Sequence, residues 1–270
     1  MDSGVWFNRP IDLSYPQYLV CFNYVHNIRE PHNSSVTFNE WLAGVVDGDG
    51  YFYIREGKPP VFKINMESKN APLLLYIQSI IGGRFYEARA AYPNVVSYHI
   101  TNKKSMVDLI IRINGNIRIS IRVPQFIKVC EYYNIPYIPA VPLTTDNAWY
   151  SGFIDTDGSV VAQLLSSKVS VIISASNKIR DNLLYFPEHF NGNIYASGTK
   201  SPAFIWKVSR KDDVLNMVQY LRKCPLYSHK QHRINMIDEL YHLHSINAHK
   251  SSSSHNSAWV RFVTHWKILY

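Results

Sequence analysis

Cysteine is scarce in this chain of 270 residues, with three in all. Cys21, Cys130 and Cys224 are odd in number and far apart, which excludes a disulfide framework or a closely spaced thiolate zinc site and points to a reducing compartment. Long apolar runs are also missing. No stretch approaches the roughly 18 residues that a membrane-spanning helix needs. Asp2 and Asp12 come early, so neither a secretory signal nor an Arg-rich presequence is evident. Charge is thin at 18% and unevenly signed, with 28 Lys and Arg against 20 Asp and Glu, a net of +8. Apolar residues make up 46%, enough for a substantial core, and this excludes wholesale disorder. Tyr (19), Phe (12) and Trp (6) are plentiful. Excess cations among aromatics suit a polyanionic partner, nucleic acid foremost, although composition alone leaves an anionic membrane surface open.

The positive excess has an address. Residues 1–35 carry a net of −1, residues 36–146 a net of +3 and residues 147–270 a net of +6. The first 35 residues therefore read as an appendage, with an apolar patch from Tyr15 to Val25 able to pack onto the body.

A search for internal similarity finds one strong repeat. Trp41, Gly44, Asp47, Asp49 and Gly50 recur as Trp149, Gly152, Asp155, Asp157 and Gly158, at a constant offset of 108 residues. Two similar halves predict pseudo-two-fold packing. In the first half, Thr37 and Glu40 have capping-box spacing ahead of a helix over 38–47. Gly44 leaves a flat spot for another backbone, and Gly48 and Gly50 stop the helix. Alternation predicts strands over 51–55 and 61–67, a helix over 71–81, strands over 84–87 and 95–101, and helices over 106–113 and 123–133. The second half repeats the order: helix 148–155, strands 159–164 and 169–174, helix 179–186, strands 193–197 and 204–208, helices 213–221 and 229–243. Pro136, Pro139 and Pro142 mark a linker over 135–146, so the halves span 36–134 and 147–245. The tail, 246–270, reads as a mobile serine-rich stretch from Lys250 and then an aromatic end at 259–270.

Two acidic residues at i and i+2 beside glycine, where a helix ends, make a pointed arrangement. If the two motif helices pack side by side, Asp49 and Asp157 meet among helix-end carbonyls. Such an oxygen cluster suits hard divalent cations and, with them, phosphodiester hydrolysis. An EF-hand is excluded, because Tyr51 and Phe52, or Ser159 and Val160, stand where that loop needs Asp or Asn and then Gly. A single Asp-x-Asp-Gly is usually a turn; two ten-residue copies at one offset favour function.

At these residues the chain resembles single-chain LAGLIDADG homing endonucleases. The carriers are Leu42-Ala43-Gly44-Val45-Val46-Asp47-Gly48-Asp49-Gly50 and Tyr150-Ser151-Gly152-Phe153-Ile154-Asp155-Thr156-Asp157-Gly158, with further likeness at 114–118 and 225–230. Tyr150 and Ser151 depart from the Leu-Ala opening of the motif. The resemblance implies an α+β fold of two αββαββα halves, with motif helices at the interface and two saddle-shaped antiparallel sheets along a DNA groove. It implies a monomeric enzyme that cuts both strands of a long asymmetric duplex and leaves short 3′ overhangs. Mg²⁺ would be shared between Asp49 and Asp157 beside Gly48 and Thr156, with Mn²⁺ or Ca²⁺ able to substitute for binding. Asp47 and Asp155 would be helix-terminus residues. Lys230 matches the basic residue near one scissile phosphate. Its counterpart is Arg122, with Arg118 the alternative. Glu67 would order water in one half; Met66-Glu67 and Ala175-Ser176 occupy matching regions, and the second holds no such carboxylate.

Strand alternation assigns the groove-facing side chains: Tyr51, Tyr53, Arg55, Lys63, Asn65 and Arg84 in the first half, and Ser159, Gln163, Lys168, Ser170, Ser174 and Lys207 in the second. His242, His244, His249, His255 and His265 crowd the C-terminal region and read as solvated or phosphate-facing rather than as a metal site. Two further functions stay open. One is an intron RNA maturase, which needs basic surfaces but not the paired aspartates. The other is a cleavage-deficient DNA-binding relic. The resemblance also implies an intron-encoded protein of a mitochondrion or chloroplast.

Overall fold

The computed structural model describes residues 35–88, 92–165, 168–198 and 203–268. The first half runs α1 (Ser35–Gly48), β1 (Gly50–Tyr53), β2 (Val61–Glu67), a 3₁₀ turn (Ser68–Asn70), α2 (Ala71–Ile81), β3 (Arg84–Tyr86), β4 (Val95–Ile100), α3 (Lys103–Ile113) and α4 (Arg122–Tyr132). The second half runs α5 (Trp149–Asp157), β5 (Gly158–Leu165), β6 (Lys168–Asn177), a 3₁₀ turn (Arg180–Leu183), α6 (Tyr185–Phe190), β7 (Asn193–Ser197), β8 (Ala203–Val208), α7 (Lys211–Lys223) and α8 (Lys230–Ser245). A last helix, α9, covers Asn256–Ile268. Each half holds one four-stranded antiparallel sheet, ordered β1-β2-β4-β3 and β5-β6-β8-β7. The α+β fold of two repeated halves is therefore present.

Each sheet buries one face. Along β2, Phe62, Ile64 and Met66 are buried while Asn65 and Glu67 are exposed. The buried face packs under the helices of its own half, and the open face remains for solvent or a ligand. Helices α1 and α5 are apolar nearly all round because each is covered by its own sheet and by the other helix. Trp41, Leu42, Val45, Trp149, Phe153 and Ile154 are all 1% exposed or less.

The two motif helices touch backbone to backbone. A Cβ on Gly44 would lie 2.1 Å from the Trp149 carbonyl, and one on Gly152 would lie 1.9 Å from the Trp41 carbonyl. Each helix also ends the other's hydrogen-bond needs. Trp41 Nε1 donates to Asp155 (2.8 Å) and Trp149 Nε1 donates to Asp47 (2.8 Å). Asp47 further accepts from the Arg118 and Ile119 N–H groups, and Asp155 from those of Tyr227 and Ser228. The inner aspartates are thus buried acceptors that tie the helix ends to later loops, and burial pushes Asp47 up to about 6.

Several boundaries differ from expectation, each for a local reason. α1 starts at Ser35, so Thr37 lies inside it; the Glu40 carboxylate accepts the Ala148 N–H (3.0 Å), a free donor ahead of the opposite motif helix. The helix expected over 179–186 is broken into a 3₁₀ turn and α6. Pro187 cannot donate and would clash with the carbonyl four residues back, but it is tolerated in the first turn of a helix restarted at Tyr185. The tail is not a loose end: residues 256–268 form α9, which buries Trp259, Phe262 and Trp266. His244 and His249 stack with ring centroids 4.6 Å apart, and His249 lies 6.0 Å from Trp259, so these two imidazoles pack rather than float in solvent. Residues 1–34, with the apolar patch over 15–25, lie outside the described residues. Among the described residues no helix is long and apolar enough to cross a membrane.

Candidate active site

The site sits where α1 and α5 end together. The contact is close: a Cβ on Gly48 would fall 1.9 Å from Thr156 Oγ1. Asp49 and Asp157 follow at the two helix ends. Burial raises both carboxyls above the usual range, and Asp157 is pushed up to about 7, with the Asp49 charge as the second cause. Lys230 and Arg122 pull in the opposite direction on both.

The cations that oppose this charge stand at the repeat offset. Arg122 and Lys230 are 108 residues apart and are the first residues of α4 and α8. Lys230 Nζ donates to the carbonyls of Ile154 (2.8 Å), Asp155 (3.0 Å) and Thr156 (3.3 Å), closing the end of α5. Arg122 is buried and its Nη1 donates to Gln125 Oε1 (2.6 Å). Arg118, the alternative, is engaged elsewhere. Its Nε and Nη1 donate to the carbonyls of Asn116 and Val141, and its guanidinium lies 5.1 Å from the Trp149 ring. Its place under Trp149 is structural.

A cavity of about 350 Å³ opens beside Asp49 and takes its walls from both halves, including Glu67, Thr156 and Lys230. Glu67 is exposed and pairs with Lys69 Nζ at 2.6 Å. Strand register corrects its counterpart. Gly50 faces Ile64 and Gly158 faces Ala175, so three residues further on Glu67 is matched by Lys178, and Asn65 by Ser176. Ser176 donates its hydroxyl to the Asp157 carbonyl (3.2 Å). The cavity also holds Asn70, His229 and Arg233, which no sequence motif marked. His229 Nδ1 lies 2.8 Å from Asn70 Oδ1. Arg233 is 5% exposed, donates to the Val160 carbonyl (2.8 Å) and lies 5.4 Å from the Trp266 ring of α9.

Neither Asp49 nor Asp157 owes its shift to a hydrogen bond; burial and charge alone set both. Among the described residues no group of three or more His, Cys, Asp or Glu gathers. Two neighbouring carboxylates with helix-end carbonyls fit a cation that keeps several waters and takes substrate phosphate oxygens, as Mg²⁺ does. They do not fit a cage made wholly of side chains.

The open sheet faces differ between the halves. In the first, cross-strand pairing sets Tyr51, Lys63, His99 and Arg84 in one row. Tyr53 is 38% exposed, with Arg55 at 5.2 Å and Lys63 at 5.8 Å from its ring. Asn65 accepts from the Ser97 hydroxyl (2.7 Å). In the second half the equivalent row is Ser159, Ser174, Lys207 and Asn193. Gln163 is paired with Ser170, Lys207 Nζ lies 5.8 Å from the exposed Tyr195 ring, and Lys168 opens β6. His99, Asn193 and Tyr195 were missed because β3, β4 and β7 are short, and cross-strand neighbours are visible only once register is known.

Comparisons place this geometry. A family model described as LAGLIDADG endonuclease matches residues 42–133 and 150–241. The intron-encoded RNA maturase bI4 of Saccharomyces cerevisiae is 37% identical over 87% of this chain and 37% of its own length. The probable intron-encoded endonuclease aI2 of Debaryomyces hansenii is 31% identical over 89% of this chain and 39% of its own length. This chain thus spans about two fifths of those relatives. The intron-encoded DNA endonuclease ai2b of Dictyostelium discoideum is 26% identical over 84% of this chain and 88% of its own length. Among solved structures, the meganuclease I-AabMI bound to uncleaved DNA superposes with a TM-score of 0.59 at 19% identity, over 78% of this chain and 92% of that one. The I-LtrWI homing endonuclease bound to target DNA gives 0.60 at 15%, over 85% and 97%. Those likenesses show the fold, and the matches over both motifs show the kinship: this chain belongs to the LAGLIDADG endonuclease family.

Proposed function

We propose that the chain is a site-specific DNA endonuclease that binds a long asymmetric duplex as a monomer and hydrolyses both strands. The observation that carries this reading is the meeting of Asp49 and Asp157 at the joined ends of two motif helices, above two sheets that present cations and aromatics. Opposite signs divide the work: the sheets attract phosphates, and the aspartates gather the countercharge that hydrolysis needs.

The site residues take the following roles in this reading. Asp49 and Asp157, with the carbonyls of Gly48 and Thr156, hold Mg²⁺, for which Mn²⁺ or Ca²⁺ substitutes in binding. When bound, such ions supply an activated water and charge for the leaving oxygen. Lys230 and Arg122 each face a scissile phosphate. Arg122 keeps its proton at any working pH, so it stabilises charge and does not act as a base. Glu67 orders water at the Asp49 side. Tyr51, Tyr53, Arg55, Lys63, Asn65 and Arg84 contact one flank of the target, and Ser159, Gln163, Lys168, Ser170, Ser174 and Lys207 the other. Because the two rows differ in chemistry, the target is at most weakly palindromic. Residues 36–134 and 147–245 act as the two halves across the linker 135–146. The relatives' names support an intron-encoded protein, and we place it in a mitochondrion or chloroplast.

Selection of cut duplexes from a randomised library with Mg²⁺ identifies the target. Asp49→Asn is then expected to abolish double-strand cleavage while binding is retained; undiminished cleavage overturns the reading. The likeness to an RNA maturase favours a second role, promotion of host-intron splicing. It predicts that an Asp49/Asp157 double variant still supports splicing.

A further inference from the structure

The halves repeat, yet the cations around their two centres do not. Arg122 and Lys230 are equivalent, and three residues on, the repeat sets Gln125 against Arg233. Both paired cations are engaged, Arg122 Nη1 with Gln125 and Lys230 Nζ with the carbonyls of Ile154, Asp155 and Thr156, so the difference lies one turn further on. On the Lys230 side a second buried cation, Arg233, lines the same cavity as Asp49 and Lys230. It is held there by the Val160 carbonyl at 2.8 Å and by the Trp266 ring at 5.4 Å. The carboxylate at the end of the second strand is one-sided too, Glu67 being matched by Lys178.

We propose that the two DNA strands are cut in a fixed order: the centre built from Asp49, Lys230 and Arg233 nicks its strand first, and the centre of Asp157, Arg122 and Gln125 cuts second. The inference rests on the endonuclease reading above and adds an order to it. In each cut the water oxygen bonds to phosphorus and gives up one proton, the bond from phosphorus to the leaving sugar oxygen breaks, and that oxygen takes up one proton, so the protons balance. Negative charge on the phosphoryl oxygens peaks between these events. A guanidinium fixed beside that charge lowers the barrier. One centre holds two cations, Lys230 and Arg233, while the other holds Arg122 alone, with the neutral Gln125 at the position matching Arg233. Trp266 acts as a positioning residue for Arg233, so α9 contributes to the asymmetry from outside the repeat.

The test uses the duplex selected as above, labelled distinguishably on its two strands, in a single-turnover time course with Mg²⁺. A nicked intermediate is expected, with its nick in the strand whose cleavage is lost in Lys230→Met. Arg233→Gln is expected to slow that first cut about tenfold or more, and Arg233→Lys to restore part of the rate. Gln125→Arg is expected to quicken the second cut and shorten the life of the intermediate. With metal chelated, Arg233→Gln should also lower the salt slope of duplex binding by about one. Equal rates for both strands, or a first nick in the other strand, overturn the order while leaving the endonuclease reading intact. A wild-type chain that binds but never cuts overturns both.

Discussion

At the scale of single residues, the motif separates its two aspartates by environment. Asp47 and Asp155 are buried and fully engaged, whereas Asp49 and Asp157 have only charges for company. The inner pair therefore belongs to folding. Asp155 accepts three donors: Trp41 Nε1 at 2.8 Å and the Tyr227 and Ser228 N–H groups at 2.9 Å. Trp41→Phe keeps an aromatic ring against Tyr76 and Tyr227 but removes one donor from a buried carboxylate. Such a loss costs about 1–3 kcal/mol. The expected result is a lower urea midpoint at an unchanged slope, measured by fluorescence of the remaining tryptophans or by circular dichroism. A wild-type midpoint would show that the bond across the helices adds nothing to stability. The same change should leave the Asp49 centre with its cations in place, so folded variant protein is expected to bind duplex normally.

At the scale of elements, the joined helices depend on two missing methyl groups. A Cβ on Gly152 would fall 1.9 Å from the Trp41 carbonyl and 2.9 Å from the Val45 nitrogen, all of it backbone that cannot rotate aside. Gly152→Ala must push α1 and α5 apart, and with them the carboxylates at their ends. We expect a loss of about 3 kcal/mol or more, beyond the usual cost of overpacking. Thermal melts should show a large fall in Tm, and cleavage should drop further than the folded fraction explains; a melt like that of the wild type would mean the helices have room to spare. The helix interface was legible in the sequence because Gly44 and Gly152 sit at one position of a repeat that also returns Trp and both Asp residues. The strands were legible because each sheet buries one face, and the alternation from Phe62 to Glu67 is period two. Other parts were hidden for physical reasons. Glu40 looked like a capping residue but serves the helix of the other half, a contact 108 residues away. Serines near position 250 masked a helix whose apolar stripe, Trp259, Phe262 and Trp266, packs only once α8 is there to receive it. Arg233 carried no motif, and its place in the cavity follows from α8 meeting both β5 and α9.

At the scale of the whole molecule, a chain with a net charge of +8 brings three of its cations, Lys69, Lys230 and Arg233, to the lining of one cavity. His229 shows what that proximity costs. It joins the halves through Asn70, 2.8 Å away, and lines the same cavity as Lys69, Lys230 and Arg233. Burial, followed by those three cations and His232, pulls its affinity for a proton down to about 3, from an ordinary 6.5. The folded protein thus keeps this imidazole neutral, while the unfolded chain takes up a proton near 6.5. Its contribution to stability is complete above 6.5 and declines as pH falls from 6.5 toward 3, because acid favours the state that binds the proton. Urea midpoints measured at pH 8, 6.5 and 5 should therefore decline on the acid side. His229→Gln, which is neutral throughout, should decline less steeply over the same interval even if it is less stable at pH 8. Parallel curves for the two proteins would mean that His229 is protonated in the fold, and that the cations around the cavity are too far away or too well screened to act together.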